Sequence, residues 1–494
     1  MTGLLTHIAY FAVIVLLVGL VPPNLLGQLD GGAQTTIIVV GALGVWRYTW
    51  AITNYTRALI YRLAAYPRRK AKAFRKYAAQ PVKAHAYFMI TSFMVSKEDT
   101  LKVYRRLFLA ASQSENGATI VSSVVTGSDE RLIRQIYQTM PSDMSRVRLI
   151  IDRIPSKGKR DAMAKALVIL AELNPTRRDI VVFVDGDTLV PEDIVAQSAP
   201  MFTNPRVGAA TTDEACIIDR KNLFRDWFVL RFNQRQVMMS SMGLARHVLT
   251  LTGRMSIFRG DLATNPGFVR GVEHDYLNHW RLGHIKFLTG DDKSTWYWLL
   301  KNGYEMAYLP DVRSESMETQ PRPTFFASAR TLMVRWYGNM LRTNGRALKL
   351  PPNLIGYFTW WSIMDQRLSM WTTLVGPISV LVAAISTEIT IVPLYIAWVM
   401  FTRYVMVAAI SLNRGEWFPI THPPILYFSQ VFGAATKTFV SFRMNKQRWT
   451  RQNATAVKTG EAVGERIQAI DSTVHHALAI TWLTVAIIFV NVIW

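Results

Sequence analysis

An α/β domain set between two groups of membrane helices is the fold that this 494-residue sequence predicts. Three observations predict it. Apolar runs long enough to cross a bilayer crowd both ends of the chain. Between them, short apolar runs alternate with helix-like stretches, the pattern of a parallel sheet with its site at the strand carboxyl ends. Lys and Arg gather beside the apolar runs, as they do on the cytoplasmic side of a membrane.

The first run is Leu4–Val21. No basic residue precedes it and no small-residue cleavage site follows, which argues against a signal peptide. The second run, Thr36–Ile52, is broken only by Arg47. The link between them holds Asp30 and no Lys or Arg. After the second run come Arg57, Arg62, Arg68, Arg69, Lys70, Lys72, Arg75 and Lys76. The charge rule therefore puts the link outside and the following domain in the cytoplasm. The formal net charge is +22. In a soluble chain that excess would suggest nucleic acid; here it belongs to the membrane flanks and no nucleic-acid partner is expected. Cys216 is the one cysteine, so no intramolecular disulfide and no Cys-rich metal site can form.

The soluble part runs from about His85 to Asn344. Ala86–Ile90, Thr119–Val125, Arg146–Ile151 and Ile180–Val184 predict buried parallel strands. Thr100–Ser112 and Glu130–Met140 predict helices between them. From Leu354 the chain is apolar again. Ile355–Leu368 carries Asp365 and Arg367 among Trp and Phe and suits a helix lying in the interface. Met370–Ser386, Ile391–Leu412 and His475–Trp494 predict spans. Ile425–Phe442 predicts an interfacial or re-entrant helix, because a crossing there would place the basic segment Arg443–Arg466 outside. The resulting division is 1–53, two transmembrane helices; 54–350, the cytoplasmic domain ending in an interfacial helix; and 351–494, interfacial and transmembrane helices.

Four motifs carry chemistry. Asp185-Gly186-Asp187 ends an apolar strand, so both carboxylates can reach one hard cation, Mg²⁺ or Mn²⁺, that also bridges a diphosphate. Asp-x-Asp alone recurs by chance in turns; the strand before it is what lends it weight. Thr289-Gly290-Asp291-Asp292-Lys293 opens a helix. Alone this reads as an N-cap; beside a metal motif, Asp291 or Asp292 reads as a general base. Lys157-Gly158-Lys159-Arg160 offers cations beside a glycine for a donor phosphate, against the commoner reading of a solvated charge run. Arg335-Trp336, followed by Arg342 and Arg346, suits phosphate pairing and sugar stacking, or headgroup contact on an interfacial helix.

In this order, flanked by membrane segments, the motifs resemble the processive family 2 glycosyltransferases. The resemblance implies a GT-A (Rossmann-like) domain, metal on Asp185 and Asp187, a base at Asp292 within the pair Asp291-Asp292, and donor contacts from Arg335 and Trp336. The stretch Gly253–Arg259 looks like the family's acceptor-side segment. Two positions depart from the family. Leu332 stands where the Gln of Gln-x-x-Arg-Trp is usual. Val121-Ser122-Ser123-Val124-Val125 lacks the nucleobase-contacting Asp, with Asp129 only later. Longer stretches are similar to the alginate-polymerase branch of the family: Gly44–Tyr48, Val248–Ser256, Phe287–Ser294, Leu332–Asn339 and Arg448–Gln452. That branch implies a GDP-mannuronate donor, an anionic polysaccharide held by Arg254 and Arg342, and a separate cyclic-di-GMP-binding membrane co-polymerase subunit. A synthase of a cellulose-, hyaluronan- or glucan-like polymer from a UDP-sugar stays open, since fold does not fix the donor.

Overall fold

The computed structural model describes residues 2–23, 25, 31–155, 157–386, 389–447 and 463–493. Strands β1 (Ala86–Thr91), β2 (Ala118–Val124), β3 (Val147–Arg153) and β4 (Ile180–Asp185) form on the four expected apolar runs. They are followed by β5 (Thr188–Leu189), β6 (Val207–Ile217), β7 (Met255–Arg259), β8 (Tyr276–His279), β9 (Gly283–Lys286) and β10 (Glu305–Met317). Eight strands make one mixed sheet in the order β3-β2-β1-β4-β7-β6-β10-β5, and β8-β9 is a separate hairpin. The four leading strands run parallel. Strand β7 lies antiparallel between β4 and β6, so the segment before β7 returns to the carboxyl end of β4.

β1, β2 and β4 are buried almost throughout, which is why they read as continuous apolar runs and not as alternation. The two predicted helices start three residues earlier than expected, at Lys97 and Gly127, because Ser96 and Thr126 cap them by accepting the Asp99 and Asp129 amides.

Three helices are long and apolar enough to cross a membrane, Tyr357–Ser386, Ile391–Arg414 and Gly464–Val490, and they mark this as a membrane protein. The apolar helix Thr2–Gly19 is shorter. The second run forms the 30-residue helix Gly31–Ile60. It continues through one π-helical turn, Tyr61–Ala65, into Tyr66–Ala78, so the expected division at residue 53 falls inside a helix. The link with Asp30 and the stretch Arg448–Gln452 lie outside the described residues.

Ile355–Leu368 does not form a separate interfacial helix. One helix runs from Tyr357 to Ser386. Asp365, whose charge suggested the interface, pairs with Arg47 at 2.5 Å, and Thr372 accepts from the same guanidinium at 2.7 Å. A charge held this way need not sit at the headgroups. The last helix starts at Val463, well before His475. Its early turns are held to the β8-β9 hairpin by Arg281, which pairs with Asp471 at 2.5 Å and donates to Ser472 at 2.9 Å. The helix His422–Ser441 is not among the three crossing candidates. Its apolar face, with Ile425, Leu426, Phe428 and Phe432, packs on the cluster of Trp227, Phe228 and Trp336.

Candidate active site

The carboxyl end of β4 delivers Asp185 to the sheet edge, and the chain turns at once through Gly186. A Cβ there would lie 2.6 Å from Ser92 Oγ and 3.0 Å from Thr91 O, so only glycine fits between the two acids. The turn is pinned on both sides. Gly186 N donates to Thr91 O at 3.1 Å, Asp185 N to Arg254 O at 2.9 Å, and Met317 N to Asp187 O at 2.9 Å.

The second acidic motif arrives from the opposite side. Gly290 caps the helix Asp291–Lys301 with φ +83°, and its α-carbon faces Asn339, where a Cβ would come to 2.9 Å. Both facts require glycine. Trp296 Nε1 donates to Val248 O and Lys293 Nζ to Leu249 O, each at 2.6 Å. These two bonds draw the segment Val248–Arg254 over the helix start, and Thr250 Oγ1 donates to Asp292 Oδ2 at 3.3 Å.

Lys159 joins the two motifs. It is the first residue of the helix Lys159–Glu172, and its ammonium sits 2.5 Å from Asp185 Oδ1 and 3.1 Å from Asp291 Oδ2. Thr91, Lys159, Asp185, Gly253, Asp291 and Asp292 line one pocket. Arg335 stands close enough for Glu318, Asp185 and Asp187 to favour its charge against burial.

The profile of the family described as "Glycosyltransferase like family 2" matches residues 84–339, from just before β1 through Asn339. The chain belongs to glycosyltransferase family 2. It is 38% identical over 453 residues to a "Glycosyltransferase alg8" of Pseudomonas syringae pv. tomato, covering 91% of each chain. A second "Glycosyltransferase alg8", of Azotobacter vinelandii, is 40% identical over 430 residues, 86% of each chain. Among solved structures, a mannosyltransferase of Pyrobaculum calidifontis in complex with GDP-Man and Mn²⁺ aligns at TM-score 0.44 and 16% identity, over 78% of this chain and 98% of its own.

The sheet of this family 2 glycosyltransferase is of the GT-A type, and its electrostatics separate the acids. Burial, with Asp187 and Asp291 adding to it, holds the Asp185 carboxyl up at about 7 even against Lys159. Burial alone would weaken the Lys159 charge, but Asp185 and Asp291 more than reverse it and its pKa is raised. Burial opposes the Asp291 charge too, yet Lys159 and Arg160 prevail and its carboxyl lies below the ordinary range. Asp292 is pushed upward, first by burial and then by the Asp291 carboxylate beside it. A carboxylate with a raised pKa is the stronger base, so of the two acids Asp292 is the one that burial and its neighbour favour for holding a proton. A base must be unprotonated, so the rate falls as pH drops through its pKa. Asp291→Asn removes the like charge and lowers that pKa. The acid limb of the pH–rate profile is expected to move to lower pH, with a modest loss of rate at neutral pH. An acid limb that stays in place or moves up would contradict this.

Several cations expected to touch ligands are committed elsewhere in this glycosyltransferase. Arg160 is buried and donates to Val272 O at 2.7 Å, Ser294 Oγ at 2.9 Å and Thr289 O at 3.2 Å. It fastens the Thr289–Asp292 turn through these bonds. Arg342 is also buried, donating to Asn339 Oδ1 at 2.5 Å and Met444 O at 2.9 Å, and it reaches Thr289 Oγ1 of the same turn at 3.3 Å. Arg254 pairs with Glu318 at 2.5 Å and lies 3.8 Å from Glu214, so its charge is already balanced. Trp336 packs against Trp227, with ring centroids 5.6 Å apart, and the Arg231 guanidinium lies 4.1 Å over it. Lys157 is exposed, two residues ahead of Lys159. Leu332 is buried in the same apolar cluster as Trp227, a position that would leave a Gln side chain unsatisfied.

Glu214, Glu318 and Arg235 were not legible as site residues. Glu214 is buried, accepts from Thr252 Oγ1 and pairs with Arg235 at 2.9 Å. Its carboxylate thus anchors the segment that carries Gly253 and Arg254. Nothing in the local sequence around Glu214 distinguishes it from an exposed acid.

Proposed function

We propose that this glycosyltransferase is a processive, inverting polymerase of mannuronic acid, taking GDP-mannuronate as donor and passing polymannuronate, an alginate precursor, across the bacterial inner membrane. The observation that carries the reaction class is Lys159 tying Asp185, the first acid of the metal-type pair, to Asp291, the neighbour of the proposed base. The sugar assignment rests on the long motif matches and on the two relatives bearing the alg8 name.

Asp292 accepts the proton of the acceptor C4 hydroxyl as its oxygen attacks the anomeric carbon, and the bond to GDP breaks with its electrons leaving on the diphosphate. Thr250 Oγ1 donates to Asp292, and Lys159 holds the neighbouring Asp291. Lys157 and Arg335 are the cations placed to meet the diphosphate or the uronate carboxylate, and Trp336 the ring beside them. Glu214 and Glu318 hold Arg254 within the acceptor-side segment.

The acid pair fits Mg²⁺ or Mn²⁺ as a shared ligand set. Among the described residues no group of three or more His, Cys, Asp or Glu could hold an ion alone, and two carboxylates completed by a diphosphate is the usual Mg²⁺ arrangement. The Asp185 charge, disfavoured in the protein alone, is what a cation would restore. Asp187 would be the main ligand with Asp185 behind it, and the ion would supply positive charge to the departing diphosphate. Asp187→Asn is expected to cut transfer by orders of magnitude without loss of folding, and excess EDTA should do the same to the wild type, reversed by Mg²⁺ or Mn²⁺. Full polymer yield in EDTA would refute the metal role.

In this reading the catalytic domain is cytoplasmic, over residues 54–350, and works with a cyclic-di-GMP-binding membrane co-polymerase subunit. Tags at Gly27 and Gly460 report the orientation. Both lie outside the described residues. The Gly27 tag should be open to a periplasmic reagent, and tags at Gly460 and Ala78 should not. The donor is tested in membranes holding this protein and its partner, with GDP-mannuronate, GDP-mannose and several UDP-sugars. Polymer from GDP-mannuronate alone is expected; polymer from a UDP-sugar, with GDP-mannuronate ignored, would overturn the assignment.

A further inference from the structure

The parallel strands put four polar residues in one row. Asp152 on β3 is the register partner of Ser123 on β2, Ser123 of Thr91 on β1, and Thr91 of Asp185 on β4. Register partners in a parallel sheet point to the same face. At about 4.8 Å per strand the row is roughly 14 Å long, the length of an extended nucleoside diphosphate. One end is the acid pair assigned to the diphosphate. The other end has no task.

At that far end two polar atoms are closed from water and lack a hydrogen-bond partner, Ser123 Oγ and Asp152 Oδ2. Ser123 is 2% exposed. Their neighbours are occupied. Ser122 Oγ meets Tyr104 OH at 2.6 Å, and Asp129 closes the cap of its helix by accepting from Thr126 Oγ1 at 2.7 Å. Buried polar atoms in folded proteins are nearly always paired, so two orphans on adjacent strands call for a partner from outside the chain. Val125 and Thr126 after β2, and Ile154, Pro155 and Gly158 after β3, border them; Gly158 has φ +122°, and a Cβ there would meet nothing within 4 Å.

Resting on the GDP-donor reading above, we infer that Asp152 and Ser123 form the subsite that reads the donor nucleobase, and that the base they select is guanine. A carboxylate is an acceptor at both oxygens. Guanine presents two adjacent donors, N1–H and the N2 amino group, and fills both. Uracil presents one N–H between two carbonyls, so one Asp152 oxygen would face a second acceptor. Adenine presents an acceptor at N1. The Ser123 hydroxyl can donate to a guanine ring acceptor that the carboxylate would repel. The Asp that the family usually carries after the second strand has its chemistry supplied here from the third. Burial, which raises the Asp152 carboxyl above its ordinary range, is opposed by Lys165 and reinforced by Asp161; Lys165 and Asp161 are themselves paired at 3.0 Å.

The test is calorimetric binding of GDP, UDP and xanthosine diphosphate, with Mg²⁺, to the purified full chain and to Asp152→Asn. Xanthine replaces the N2 amino group by a carbonyl, and Asn replaces one acceptor by a donor, so the variant matches xanthine as the wild type matches guanine. Asp152→Asn should lose GDP affinity roughly ten- to a hundredfold, the range of one bidentate base contact, and gain affinity for xanthosine diphosphate and for UDP, since uracil offers the same N–H beside a carbonyl. Ser123→Ala, which leaves a methyl in the same space, should lose GDP affinity several-fold with UDP unchanged. A variant with the wild-type GDP-to-UDP ratio overturns the inference. So does an equal loss of both nucleotides in Asp152→Asn and Ser123→Ala, which would mark a packing role. Wild type preferring UDP overturns the donor reading itself, and that result is seen before any variant is made.

Discussion

Asp292→Asn is expected to lower the rate of sugar transfer by about 10²–10⁴-fold, the share of a barrier that a positioned base supplies, with GDP affinity close to wild type. The reason is geometric. Asp292 accepts from Thr250 Oγ1, just ahead of the acceptor-side segment Gly253–Arg259, whereas the acids proposed for the diphosphate are Asp185 and Asp187. The amide keeps shape and most hydrogen bonding but cannot take a proton. Single-turnover transfer from a radiolabelled donor, with GDP binding measured in parallel, separates the two effects. If Asp291→Asn proves the more damaging at neutral pH, the roles within the pair are reversed.

The second large effect belongs to Lys159. Lys159→Met keeps the stem but removes the charge between Asp185 and Asp291, whose side chains are 27% and 7% exposed. Removing one partner of a buried ion pair typically costs ~3–5 kcal/mol, because the remaining charge stays uncompensated; the partial exposure of Asp185 puts the expected loss toward the lower end. The result should be a lower melting temperature and transfer near background. Asp185 is then left without its cation and Asp291 keeps only the influence of Arg160, and part of the lost stability should return in Lys159→Arg. The same melting temperature in Lys159→Met and wild type would show that Lys159 serves only a ligand and does not hold the two motifs together.

Where the signal is local, the chain could be read directly. β1 to β4 form on four apolar runs because burial on both faces demands continuous apolar sequence. The pair Asp185-Asp187 stands at the end of β4 because the strand stops where its burial stops. The apolar helices follow from length and hydropathy alone. The helix starts were missed by three residues, at Lys97 and Gly127, since a polar first turn carries no hydrophobic period and only its cap, Ser96 or Thr126, marks it.

The cations were a different case. Lys157, Lys159, Arg160, Arg254, Arg335 and Arg342 look alike in sequence, as positive residues near chemistry. The fold separates them into one that bridges two motifs, three that are balanced or spent on buried carbonyls and acids, an exposed Lys157 and an Arg335 near the acid pair. A buried charge must find a partner. For Arg160 that partner is Val272 O and Thr289 O, for Arg254 it is Glu318, and for Arg47 it is Asp365, each from a distant part of the chain. The same holds for the row Asp152, Ser123, Thr91, Asp185, which exists only once strand register is set. By itself, then, the sequence determined the strands, the strand-end position of Asp185 and the membrane character, because hydrophobic period and strand-end carboxylates are local properties. Only the tertiary structure decided which charges face the pocket, because that depends on which buried groups the packing brings within hydrogen-bond reach.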